Sequence, residues 1–157
     1  VQSTGTFDSN RAWEHVRQQV AIGPRPSGSP ANVRTRAYIT AQLNALGIKT
    51  SEQPFDGVTP IGSVRMANII GTIPGQRADR IILGSHFDTK LFRDARFVGA
   101  SDGASSTAAL IELGRVLKAR KPLPFTIELL FLDGEEAVLE WSATDSTYGS
   151  RHYVAAA

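Results

Sequence analysis

The chain has 157 residues, 41% of them hydrophobic and 20% charged, with a formal net charge of +2. That composition belongs to an ordinary globular domain with enough chain for a sizeable core, and it excludes a disordered polyelectrolyte. Basic residues are scattered apart from Lys118 to Lys121 and no apolar run approaches the roughly 20 residues of a membrane span, so neither nucleic acid nor membrane is indicated as a partner; with no cysteine, any metal must use carboxylates and histidines.

The sequence begins at Val1 with neither an initiator methionine nor an apolar leader. This predicts a processed, exported protein, secreted or periplasmic, although a piece cut from a longer chain would begin the same way. Asn10 to Val20 is predicted helical, capped by Asp8 or Ser9, with Trp13, Val16 and Val20 at helical spacing and His15 solvated between them. Gly23 to Pro30, rich in glycine and proline, is a connecting loop. A second helix has every boundary signal: Ser29 as N-cap, Pro30 in the first turn, Ile39, Leu43 and Leu46 on one stripe, and Gly47 as terminator.

Strands are predicted over Ile48 to Phe55, Met66 to Ile73 and Arg80 to Ser85, the last with an apolar Ile81-Ile82-Leu83 run suited to burial on both sheet faces. Gly103 to Ala119 is a third helix, small on one side (Ala104, Ala108) and larger on another (Leu110, Leu113, Leu117). Phe125 to Leu132 is a central strand. Strands alternating with long helices predict an α/β fold, helices flanking a mixed, largely parallel sheet, whose ligands gather beyond the carboxyl ends of the strands.

Three clusters fall where that rule places a site: His86-Phe87-Asp88, Asp102, and Asp133-Gly134-Glu135-Glu136. Asp102 stands before Gly103 and a helix N-terminus, where the helix dipole favours a carboxylate that can bind a cation. Glu135 and Glu136 are adjacent, so in extended backbone one faces a metal while the other faces a substrate. Glu136 suits the ligand. Glu135, next to a like charge and partly buried, suits the proton carrier. Asp133 reads as structural. His86 and Asp88, two residues apart, are either a metal ligand with its orienting carboxylate or a hydrogen-bonded pair beneath the site.

The motifs GSHFDTK (84 to 90), FVGASDGASSTAAL (97 to 110) and FLDGEEAVLEWSATDSTYGSRH (131 to 152) resemble the glutaminyl cyclases, within the clan of zinc aminopeptidases. The continuation W-S-x-x-D-S-x-Y-G-S-R-H is the most discriminating part. The resemblance runs from about Phe7 to Tyr153 and implies a three-layer, zinc-exopeptidase-like fold. It puts zinc ligands at Asp102 and Glu136, the catalytic glutamate at Glu135, and a substrate-pocket tryptophan at Trp141. It implies one zinc ion, or two in an aminopeptidase, where His86 would bind the second.

The family's third zinc ligand, a histidine, and a further catalytic aspartate lie well beyond the paired glutamates, past Ala157; His152 belongs to a segment that continues past the site. The expectation is a single α/β catalytic domain, 1 to 157, present without its C-terminal portion. The implied activity is cyclisation of the N-terminal glutamine of peptides or proteins to pyroglutamate with release of ammonia. The rivals are a zinc aminopeptidase and a catalytically silent binding module of the same fold.

Overall fold

The computed structural model describes residues 5–157. Helix α1 spans Ser9–Ile22; Asp8 caps it, Oδ1 accepting from the N–H groups of Asn10 (2.9 Å) and Arg11 (3.4 Å). The face it buries differs in part from the predicted stripe. Val16 and Val20 pack against Ala104 and Ala108 as the spacing implies, but Trp13 is 64% exposed and fully buried Gln19 joins the contact instead. Gln19 Nε2 donates to Ala104 O across the interface, so a polar residue stays buried because it is bonded. His15 is hydrogen-bonded rather than solvated, its Nδ1 lying 2.6 Å from the Tyr38 hydroxyl.

Helix α2, Pro30–Ala45, begins and ends as its signals predict: the Ser29 hydroxyl accepts from Asn32 N, and Gly47 leaves the helix at φ +68°. Strands β1 (Lys49–Thr59) and β2 (Gly62–Ile73) form a hairpin longer than the predicted pair, in register from Lys49↔Thr72 to Thr59↔Gly62. Strand β3 is Arg77–His86, helix α3 is Ser106–Ala119, strand β4 is Phe125–Leu132 and helix α4 is Tyr148–Ala155.

The sheet is mixed, in the order β1-β2-β4-β3. β4 runs antiparallel to β2 and parallel to β3, with His86 opposite Leu132. Alternate β4 residues Ile127, Leu129 and Phe131 face α2 and α3, closing a core with Ile39, Leu43, Ile69, Ile73, Leu110 and Ile111. Each such side chain contributes roughly 1.5–3 kcal/mol by leaving water. The opposite face carries Asn68 and Glu128, which bond to Gly149 O and the Tyr153 hydroxyl of α4, so helices cover both faces. One expectation fails at β3. Ile81 and Ile82 are each 44% exposed, because among the described residues β3 pairs only with β4 and lies at the sheet edge. No helix among the described residues is long and apolar enough to cross a membrane.

Candidate metal centre and proton carrier

Because β3 and β4 are parallel and end in register, everything that follows them emerges on one side of the sheet. From β3 come His86 and Asp88; from β4 come Asp133, Glu135 and Glu136. Gly134 makes the turn between β4 and the glutamates at φ +66°, where a side chain would also meet Met66 Sδ at 2.6 Å. Asp102 arrives from the third direction, and not on the predicted helix end. Regular α3 begins at Ser106; before it, Ala100–Ser105 makes one wide π turn, closed by Ala104 N donating to Gly99 O, within which Asp102 is extended (φ −86°, ψ 113°). That kink lifts its carboxylate out of the helix, and the side chain is 56% exposed.

His86 is the meeting point of these segments. Its Nε2 donates to Asp102 Oδ1 at 3.1 Å, since a carboxylate can only accept. Nδ1 is buried without a hydrogen-bond partner, 3.5 Å from Asp88 Oδ1 and 3.9 Å from Glu135 Oε2. Asp88 thus stands beside the imidazole at ion-pair distance, too long for a well-formed hydrogen bond. Instead this buried carboxylate accepts from two successive backbone N–H groups, Glu135 N at Oδ1 and Glu136 N at Oδ2, each 3.1 Å. It fixes where the paired glutamates begin. Sequence reading missed this role, and also that of Arg25, a fully buried guanidinium in the loop before α2. Asp133 is structural as read: it accepts from Ser27 Oγ (2.7 Å), Asn32 Nδ2 (2.9 Å) and Ala67 N (3.0 Å).

The titration of the cluster reports its charge balance. Burial pushes the Glu136 carboxyl up to about 7, helped by the charges of Asp102, Asp88 and Glu135. Glu135 is also pushed up, first by burial and then by Asp88 and Asp102, with His86 opposing. Burial alone would lower His86; the direct approach of the Asp88 carboxylate, followed by the charges of Asp88, Glu135 and Asp102, outweighs it and pushes the imidazole up to about 9. The imidazolium, with the Arg25 guanidinium behind it, offsets a surplus of carboxylates.

That surplus fits a divalent cation: ionised oxygen donors whose repulsion a cation would relieve, beside a buried imidazole nitrogen without a partner. Among the described residues, however, no three histidine, aspartate or glutamate side chains converge closely enough to hold an ion. Asp102 and Glu136 would leave zinc short of its usual four ligands.

Glu136 also lines a narrow cleft with Pro26, Ser27, Val64, Ala137 and Val138. Beyond it the discriminating motif folds into a braced loop. Asp145 accepts from Val138 N (2.7 Å), Leu139 N (2.8 Å), Glu140 N (3.0 Å) and the Tyr148 hydroxyl (2.7 Å), while Arg151 donates to Ser146 O (2.9 Å). On this loop Trp141 is 61% exposed.

A fold with helices on both faces of a mixed sheet, and acids gathered beyond β3 and β4, defines a class, and residues 68–157 match peptidase family M28. The chain belongs to that family. Within it the likeness runs to glutaminyl cyclases: the chain is 38% identical to the glutaminyl-peptide cyclotransferase-like protein of Mus musculus over 94% of its own length. It superimposes on an Acidobacteriales bacterium glutaminyl cyclase with a TM-score of 0.90 at 40% identity, covering 99% of this chain. A Zn-dependent exopeptidase from Parabacteroides distasonis is also similar, with a TM-score of 0.85 at 25% identity over 96% of this chain. The chain spans 41% of the mouse relative, 55% of the bacterial cyclase and 56% of the exopeptidase.

Proposed function

We propose that the full-length protein cyclises the N-terminal glutamine of peptides to pyroglutamate, releasing ammonia. One observation carries the reading: identity to proteins of the glutaminyl cyclase kind reaches 38–40% across nearly the whole chain, while a leucine aminopeptidase precursor and a Zn-dependent exopeptidase of the same fold stand at 28% and 25%. The braced Trp141 loop, built from the stretch in which the resemblance to cyclases is most discriminating, supports it.

On this reading Asp102 and Glu136 are two ligands of a single zinc ion, and the rest of the ligand set comes from residues outside 1–157. The ion, when bound, supplies a Lewis acid to the γ-amide oxygen of the glutamine. Glu135 takes a proton from the substrate's α-amine as its nitrogen attacks the carbonyl carbon of the side-chain amide, and returns it to the departing amide nitrogen, so that a C–N bond forms, another breaks, ammonia leaves and no water is consumed. An upward-shifted carboxyl suits that two-way transfer better than an ordinary glutamate does. Asp88 holds the backbone of both glutamates, so proton carrier and ligand keep a fixed offset. Trp141 offers a flat apolar wall to the glutamine side chain.

The test is ammonia release from a glutamine-initiated dipeptide by the full-length protein, with and without chelator. Chelator-sensitive release is expected. Glu135→Gln should lose a factor of about 10² to 10⁴, the usual worth of a positioned acid-base group, with zinc content unchanged. A Glu135→Gln protein as active as wild type would remove Glu135 from the mechanism. His86 beside Asp102 keeps one rival open, an aminopeptidase with a second ion at the imidazole; two zinc ions per chain and peptide cleavage would mark it.

A further inference from the structure

Arg25 is an arginine one would expect to find in water: it lies between two prolines in a loop. Its side chain is instead fully buried, and its donors go to backbone carbonyls on two separate segments. Nε donates to Phe87 O at 2.6 Å; Nη1 donates to Val98 O at 2.6 Å and Nη2 to Gly99 O at 3.1 Å. Phe87 lies between His86 and Asp88, and Gly99 opens the wide turn that carries Asp102. A Cβ at either Gly99 or Gly103 would stand 3.5 Å from Nη2, so the guanidinium lies directly beneath that turn. Its own backbone is tied to the same region: Arg25 N donates to Thr89 Oγ1 and Thr89 N to Arg25 O.

Burying a cation costs several kcal/mol unless it is bonded and balanced. Three carbonyls bond this one, and the carboxylates of Asp88 and Asp102 supply the balancing charge. An apolar side chain could fill the same space without that cost. What it could not do is hold two chain segments in one geometry while facing their acids with a fixed positive charge.

We propose that Arg25 is a positioning residue for the candidate metal centre, clamping the end of β3, with His86 and Asp88, to the turn that presents Asp102. This rests on the reading of Asp102 and Glu136 as a cation site, and not on which reaction the site performs. The clamp acts before the ion arrives. It sets the Asp102 carboxylate against the paired glutamates, so its loss is felt as weaker metal binding and not only as lower stability.

The experiment is zinc affinity of the full-length protein by chelator competition, for wild type, Arg25→Lys and Arg25→Met, beside Leu43→Ala in the main core as a control for lost stability. Arg25→Lys keeps the charge but cannot reach three carbonyls, and should bind zinc about 10–100-fold more weakly, the usual cost of removing a group that orients metal ligands. Arg25→Met should be weaker still, and Leu43→Ala should match wild type. Arg25 variants with wild-type affinity would overturn the proposal. A second measurement needs no variant. If the clamp aids zinc, zinc must tighten the clamp by the same factor, so exchange of the Arg25 Nε proton in the wild-type protein should slow about tenfold or more on zinc addition. Unchanged exchange would overturn the proposal even if the variants do not fold. A wild-type protein that binds no zinc would remove the cation site itself, and this role with it.

Discussion

Asp145 illustrates how a single carboxylate can hold a functional loop. Buried, it would have its pKa raised by burial alone, but the Tyr148 hydroxyl and the N–H groups of Leu139, Val138 and Glu140 outweigh that and hold it below the usual aspartate range. A folded-state pKa lower than the unfolded one means the ionised group stabilises the fold above the unfolded value of 3.8, and that this contribution is lost as pH falls through the lower folded value. Each carboxylate oxygen accepts from two of these donors, so Asp145→Asn must turn an amide NH₂ toward two of the four, costing about 1–3 kcal/mol at neutral pH. Urea denaturation at pH 7 and pH 3 checks it: the gap between wild type and variant should narrow at pH 3, and an equal gap at both would show that the charge is not what matters. The candidate acids themselves were legible in the sequence because strand ends, glycines and carboxylates coincide there. Asp88 and Arg25 were not. Their partners are 47 to 74 residues away, so spacing along the chain paired Asp88 with His86 and read Arg25 as part of a plain loop.

At the level of elements, the strongest local signals gave the right boundaries. α2 has a cap, an N-terminal proline and a terminating glycine, and β4 is an apolar run between proline and Asp-Gly; both match. β3 shows the limit of that logic, because apolar sequence says that a strand is sticky but not whether a neighbour covers it. The wide turn at Ala100–Ser105 was invisible for a related reason: its shape follows from how α1 and Arg25 hold it, through Gln19 and the carbonyls of Val98 and Gly99, not from helix propensity. α4 offers a test of element packing. It approaches the end of β4 so closely at Gly149 that an added Cβ would stand 2.2 Å from Asp133 O and 2.4 Å from Asn68 Oδ1. Gly149→Ala must therefore shift α4 or the turn behind Asp133, and should cost about 1–3 kcal/mol or more, read as a lower Tm. A Tm within a degree or so of wild type would mean that α4 is free to move.

For the molecule as a whole, the parallel pairing of β3 with β4 is what makes a site at all, since it brings two acid-bearing strand ends to one side of the sheet and leaves the third acid to be delivered by the turn before α3. Fold class and the main acids could be read from sequence because they depend on strand identity and local motif. Strand order could not, because it depends on pairing between segments far apart in the chain. On the proposed function these groups, in the full-length protein, promote attack by the substrate's own amine and not by water. Mass analysis of a glutamine-initiated peptide after incubation with zinc-loaded full-length protein tests it most directly. The account predicts a product of unchanged residue count, lighter by one ammonia; a peptide shortened by its N-terminal residue would contradict it and assign the site to hydrolysis.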